Sequence, residues 1–147
     1  MINDFHGQYR FLSNFWLAPI TYGKRTYPSS EHFYQASKAS NVSDHDMVRL
    51  ATTPGQSKRL GQHIKVREDW TEVKDQIMYM IVKLKFAQNP DLRKKLLATG
   101  TEELVEGNTW HDNYWGDCSC PECKNIKGRN QLGITLMRVR KEMTINY

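Results

Sequence analysis

The chain has 147 residues and carries 21 Lys and Arg against 16 Asp and Glu, a net charge of +5. That length suits one hydrophobic core and is short for two, and 39% hydrophobic with 25% charged residues is the composition of a folded soluble protein. The most apolar run, residues 77–82, stops at Lys83 and is too short to span a membrane, and the first five residues lack the basic-then-apolar order of a secretory signal.

Residues 20–27 read as a short hairpin, with β-favouring side chains on both sides of Gly23. Pro28-Ser29-Ser30 then supplies a turn and an N-cap for a helix running to about Ala39. A second short helix is expected over residues 44–51, and a third from Pro54 to about Leu60, closed by Gly61. Asp69 with Glu72 makes a capping-box-like start for a longer helix. Its Trp70, Val73, Ile77, Met80, Ile81 and Leu84 recur at steps of three and four, the spacing of one helix face. Asn89-Pro90 ends it and opens another helix carrying Leu92, Leu96 and Leu97, which closes near Gly100. Residues 103–106 fit a short strand and residues 107–127 look irregular. From Gly128 a final helix places Leu132, Leu136, Val139 and Met143 on one stripe. The sum is a mainly α single domain over residues 1–147, with a small β-hairpin near the N-terminus.

Four stretches carry residues capable of chemistry. On a helix turning about 100° per residue, Glu31, Gln35 and Lys38 share a face, with Phe33, Ala36 and Ser37 roughly opposite. That face is either a catalytic wall or an ordinary wet surface with a weak ion pair. His32, between Glu31 and Phe33, reads as structural. Residues 106–117 interleave Trp110, Tyr114 and Trp115 with Gly, Asn and Asp, whereas loops are usually small and polar. Either the rings complete the core, or one stacks on a flat ligand such as a nucleobase with Asp117 beside the reacting bond. Trp70 starts an apolar stripe and reads first as core.

The third stretch, Lys127-Gly128-Arg129-Asn130, would enter a helix and so resembles a phosphate cradle, where backbone N–H groups and the positive helix end favour an anion. Six basic residues and no acid between Lys124 and Lys141 agree with an anionic ligand, or equally with a solvated basic face. The fourth is Cys118, Cys120 and Cys123. Three cysteines this close cannot staple a fold, so a reducing cytoplasm is expected. With His111 they could instead hold a structural zinc, although a second Cys-x-x-Cys or a matched His pair is missing.

Taken together, Phe11-Leu12-Ser13-Asn14-Phe15, residues 28–38, Asp69-Trp70 with Val73-Lys74, Tyr114-Trp115-Gly116-Asp117 and residues 128–133 resemble the NADAR family, the YbiA-like N-glycosidases. The resemblance covers nearly the whole chain in order. It implies a small, mostly helical cytoplasmic hydrolase of the C1′–N bond of ribosides. The substrates it implies are phosphoribosylamino-pyrimidine intermediates of riboflavin synthesis, or ADP-ribosyl-guanine in nucleic acid. Matched position by position, it places function on Glu31, Trp70, Trp115 and Asp117, which revises the core reading of Trp70. Lys38, Asn14, Phe15 and Asn130 also fall in matching motifs. The cysteine cluster has no counterpart in the family pattern, and the resemblance implies no required cofactor.

The chemistry expected on that basis builds positive charge on the ribose and negative charge on the departing base. Glu31 and Asp117 divide the work, Glu31 stabilising the sugar cation or activating water. Trp115 stacks on the base, Trp70 shapes the site, and Lys127, Arg129 and Asn130 hold phosphate. Lys38 acts either as an electrostatic partner of Glu31 or as an amine nucleophile on an opened ribose. Two other readings compete: a non-catalytic reader of ADP-ribose or nucleic acid, and a zinc-bearing interaction module. Neither accounts for the carboxylates and the lysine beside the aromatics.

Overall fold

The computed structural model describes residues 1–146, which form two compact units. One is continuous, residues 14–90; the other joins residues 1–13 to the chain from Asp91 onward.

The continuous unit begins with the hairpin β1 (Leu17–Tyr22) and β2 (Arg25–Ser29), antiparallel with Ile20 opposite Tyr27. It is longer than the sequence suggested. A register shift between Leu17 and Ile20 lets β1 start early, and Pro28-Ser29 continues β2 instead of turning. Ser29 is both the last residue of β2 and the N-cap of α1 (Ser30–Ser37), so strand passes into helix with no loop. Helix α2 (Val42–Arg49) starts two residues ahead of expectation because the Asn41 side chain accepts from Asp44 N at 2.8 Å and caps it. Helix α3 (Pro54–Gly61) is capped by Thr53 and ends on Gly61, as read from the sequence.

Helix α4 (Trp70–Gln88) corrects two expectations. Asp69 makes no capping bond, because its carboxylate is taken by Arg67 at 2.6 and 2.9 Å. The buried face is also offset from the expected stripe. It consists of Met78, Ile81, Val82, Lys85 and Phe86, while Trp70, Val73, Ile77, Met80 and Leu84 are half-buried. A periodicity count scores Lys85 as polar. In the fold it is 1% exposed, and burial lowers its pKa to about 7.

Helix α5 (Pro90–Ala98) leads into the second unit. Residues 103–106 are not a strand; Leu104 makes one isolated parallel bridge with Ile2. The irregular stretch contains two-residue strands β3 (Gly107–Asn108) and β4 (Asp117–Cys118), paired in parallel, and a 3-10 turn over Pro121–Cys123. Helix α6 (Gln131–Asn146) begins three residues later than Gly128. Asn130 sits at φ 52°, in the left-handed region, and no helix can run through it. The stripe itself is as expected: Leu132, Leu136, Val139 and Met143 are all buried.

Candidate active site

In the continuous unit, α1 packs against β1, β2, α2, α3 and α4, so every side of a two-turn helix is covered. Every residue from Ser30 to Ala36 is buried, including Ser30, Glu31, His32 and Gln35. This removes the wet-surface reading of the helix. Buried polar side chains are the uncommon case, and each needs a partner.

His32 finds two. Its Nε2 lies 3.0 Å from the Ala51 carbonyl, which can only accept, so Nε2 carries the proton. Nδ1 therefore accepts from the Ser29 hydroxyl at 2.7 Å, while Ser29 Oγ accepts from His32 N. Burial holds the imidazole pKa below its ordinary value. His32 is a neutral structural pin.

Glu31 is 7% exposed, in the first turn at the positive end of α1, where a carboxylate is favoured. Its backbone N–H donates to Asn14 O at 3.0 Å, and its Oε1 accepts from Gln35 Nε2 at 2.7 Å. Gln35 Oε1 is buried with no hydrogen-bond partner among the described residues. A Cβ on Gly61 would overlap that oxygen and stand 3.0 Å from Gln35 Cδ. The bare backbone at the end of α3 is thus what lets Gln35 reach Glu31.

Lys38, the C-cap of α1, completes the predicted face. Burial lowers its affinity for a proton, the Glu31 carboxylate raises it, and the charges of Lys58 on α3 and Lys74 on α4 lower it again. Lysines from three helices are therefore close enough to feel one another at Lys38, with Glu31 the opposing charge. Aromatic rings border it: Lys38 Nζ stands 5.6 Å from the Tyr34 centroid, Tyr34 lies 5.1 Å from the Trp70 ring, and Lys58 Nζ is 6.0 Å from the centroid of Phe15. Asn14 donates to Met78 Sδ at 3.6 Å, anchoring the segment that receives Glu31 N–H. Of the sequence candidates, the continuous unit brings together Glu31, Lys38, Trp70, Asn14 and Phe15. It keeps Gln35 of the predicted face and Tyr34 beside it, and adds Lys58 and Lys74. Lys58 and Lys74 were missed because each looks like an ordinary helix lysine until the helices pack.

The other unit contains Asp117, Trp115, Lys127, Arg129, Asn130 and the His111–cysteine group. Its long loop is built on side-chain turns. Asp112 Oδ1 accepts from the N–H of Tyr114 and Trp115 at 3.1 and 2.9 Å, and Asn108 Oδ1 accepts from Trp110 and Asp112 N–H. Trp110 is 53% exposed, so it does not complete a core; Tyr114 and Trp115 are half-buried, 5.0 Å apart edge to face. Asp117 Oδ1 accepts from Gly128 N at 2.9 Å and closes the loop.

The expected phosphate cradle lacks the donors it needs. The N–H groups of Arg129, Asn130, Gln131 and Leu132 donate to the carbonyls of Asn113, Gly116, Tyr114 and Trp115 at 2.8–3.1 Å. Asn130 accepts from Glu106 N and donates to Leu104 O, both at 2.9 Å, which makes it a clamp within the fold. The Arg129 guanidinium lies over the Tyr114 ring at 5.5 Å, and Lys127 is exposed.

Comparison with known proteins agrees with this architecture. The NADAR domain family matches residues 3–144, taking in both units. N-glycosidase YbiA of Shigella boydii is 37% identical over 139 residues, covering 93% of this chain and 83% of the relative. An N-glycosidase of Nostoc punctiforme is 39% identical over 140 residues, 92% and 86% of the two chains. A riboflavin biosynthesis protein of Vibrio vulnificus is 40% identical over 135 residues, which is 90% of this chain but 35% of that one. The NMR structure of Escherichia coli YbiA superposes with a TM-score of 0.82 at 34% identity, covering 99% of this chain and 88% of that structure. Among the described residues no helix is long and apolar enough to cross a membrane.

Proposed function

Because this chain belongs to the NADAR domain family, we propose that it is a hydrolase of N-glycosyl compounds that splits the C1′–N bond of a phosphoribosylamino-pyrimidine. Water supplies a hydroxyl to C1′ and a proton to the departing amine. The observation that carries this reading is the buried Glu31 carboxylate, whose charge acts on Lys38 alongside the charges of Lys58 and Lys74.

Each partner in that arrangement has a use. Breaking the bond leaves C1′ oxocarbenium-like, and three cations alone would oppose that charge. Glu31, fixed by Gln35, offsets them and faces the growing positive charge or draws a proton from water. The lysines suit a phosphate dianion, which neutralises them in turn. Trp70, half-buried and backed by Tyr34, offers ring surface to a flat pyrimidine. The riboflavin-synthesis name of the Vibrio vulnificus relative supports a phosphoribosylamino-pyrimidine as the riboside.

A side-by-side assay tests the substrate. Pure protein is offered the phosphoribosylamino-pyrimidine and, separately, an oligonucleotide carrying ADP-ribosylated guanine. We expect release of ribose phosphate from the first, with little turnover of the second. Turnover confined to the oligonucleotide would reassign the substrate, and binding without product would leave a reader and not an enzyme.

Gly61→Ala tests how Glu31 is held. Alanine favours a helix by about 1 kcal/mol over glycine, so helix propensity alone predicts no harm. The new methyl group displaces Gln35, however, and misplacement near reacting groups is costly. Turnover should fall about 10-fold, with a lower thermal midpoint because the buried Gln35–Glu31 bond is broken. Full activity in this variant would show that Gln35 does not position Glu31.

A further inference from the structure

One constellation lies outside the site described above and has no use in the N-glycosidase reading. His111, Cys118, Cys120 and Cys123 offer four ligand atoms that all lie within 4.8 Å of one another. We propose that these four residues bind one zinc ion, which braces the loop carrying Tyr114, Trp115 and Asp117.

The geometry is close to that of a filled tetrahedron. Zinc–sulfur and zinc–nitrogen bonds of about 2.3 and 2.0 Å give ligand–ligand edges of roughly 3.5–3.8 Å. His111 Nδ1 stands 3.3 Å from Cys120 Sγ and 3.4 Å from Cys123 Sγ. The longest edge exceeds the ideal by about 1 Å, which thiolate side chains close by small rotations. None of the three cysteines is in a disulfide, and Cys118 and Cys123 are buried.

The surroundings are those of a metal site. Asn113 Nδ2 donates to Cys123 Sγ at 3.4 Å and Cys120 N donates to Cys118 Sγ at 3.5 Å, and such bonds favour thiolate. The far nitrogen of the imidazole, His111 Nε2, lies 3.7 Å from a Glu122 carboxylate oxygen. A carboxylate hydrogen-bonded behind a ligating histidine fixes its tautomer and raises its basicity, and Glu122 stands within a small side-chain rotation of that position. The turn Pro121–Cys123, with Cys123 N donating to Cys120 O at 3.0 Å, folds the Cys-x-x-Cys pair so that both sulfurs point to one place. His111 has φ 68°, a conformation costly for a side-chain-bearing residue, which persists only where the surroundings over-determine it.

The donor set selects the ion. Three soft thiolates and one imidazole suit zinc and exclude magnesium or calcium. Four protein ligands leave no open position, so the ion is structural and takes no part in bond breaking. Its effect is mechanical: His111 precedes Tyr114 by three residues and Cys118 directly follows Asp117. One ion therefore ties the two ends of that short segment.

The test is metal content and spectrum, independent of turnover. Protein made in zinc-supplemented medium and purified without chelator is expected to hold one zinc per chain. Cobalt replacing it should give the intense visible bands and sulfur-to-metal charge transfer of a tetrahedral thiolate site. Cys120→Ser should lose stoichiometric zinc, and His111→Cys should keep cobalt binding with an altered spectrum. Glu122→Gln should weaken zinc by roughly 10-fold, the low end for an outer partner, because Glu122 is exposed. Should Cys120→Ser fail to fold, the other two variants read the same site. Folded protein without zinc, giving no charge-transfer band with cobalt, would overturn the proposal, as would a disulfide among these cysteines in the folded protein.

Discussion

Replacing Glu31 with Gln is expected to lower turnover by at least ~100-fold while leaving the fold intact. The substitution keeps the size of the side chain and an oxygen that can accept from Gln35 Nε2, so the buried hydrogen bond survives. It removes the negative charge. A unit charge about 4 Å from a developing positive centre is worth roughly 4 kcal/mol at an effective dielectric near 20. That corresponds to about three powers of ten in rate, and 100-fold is the conservative figure. Steady-state hydrolysis of the phosphoribosylamino-pyrimidine, paired with a thermal melt, checks it. Full activity would remove Glu31 from the chemistry.

Lys38→Ala is expected to cost about 100-fold or more in turnover, the scale for losing a preorganised charged group. Lys38→Arg then separates its two uses. If the ammonium only balances charge beside Glu31 and phosphate, arginine retains part of the activity. If the amine attacks C1′ of an opened ribose, arginine is as inactive as alanine, and borohydride traps a protein–ribose adduct that both variants lack. Burial already lowers the proton affinity of Lys38, the direction that an attacking amine requires.

What could be read in the sequence was local. The Leu132–Leu136–Val139–Met143 stripe and the Glu31–Gln35–Lys38 face follow from helical spacing, and the fold contains both. The hairpin and most helix limits follow from Gly, Pro and capping side chains. Each miss came from a partner distant in the chain, or from a neighbour that spacing rules do not weigh. Arg67 took the Asp69 carboxylate from the helix start. The carbonyls of Tyr114, Trp115 and Gly116 took the amides expected to cradle phosphate. Lys58 and Lys74 joined Lys38 only through packing of α1, α3 and α4, which periodicity does not encode. His111 was legible as a candidate ligand by residue type, but its left-handed backbone and the nearby Glu122 carboxylate were not.

The most direct measurement is a crystal structure of the Glu31→Gln protein, slowed enough to hold intact phosphoribosylamino-pyrimidine. The riboside should lie with C1′ against the side chain of residue 31, its phosphate near Lys38, Lys58 and Lys74. Substrate held in the crystal at the Lys127–Arg129 stretch, with C1′ far from residue 31, would contradict the account.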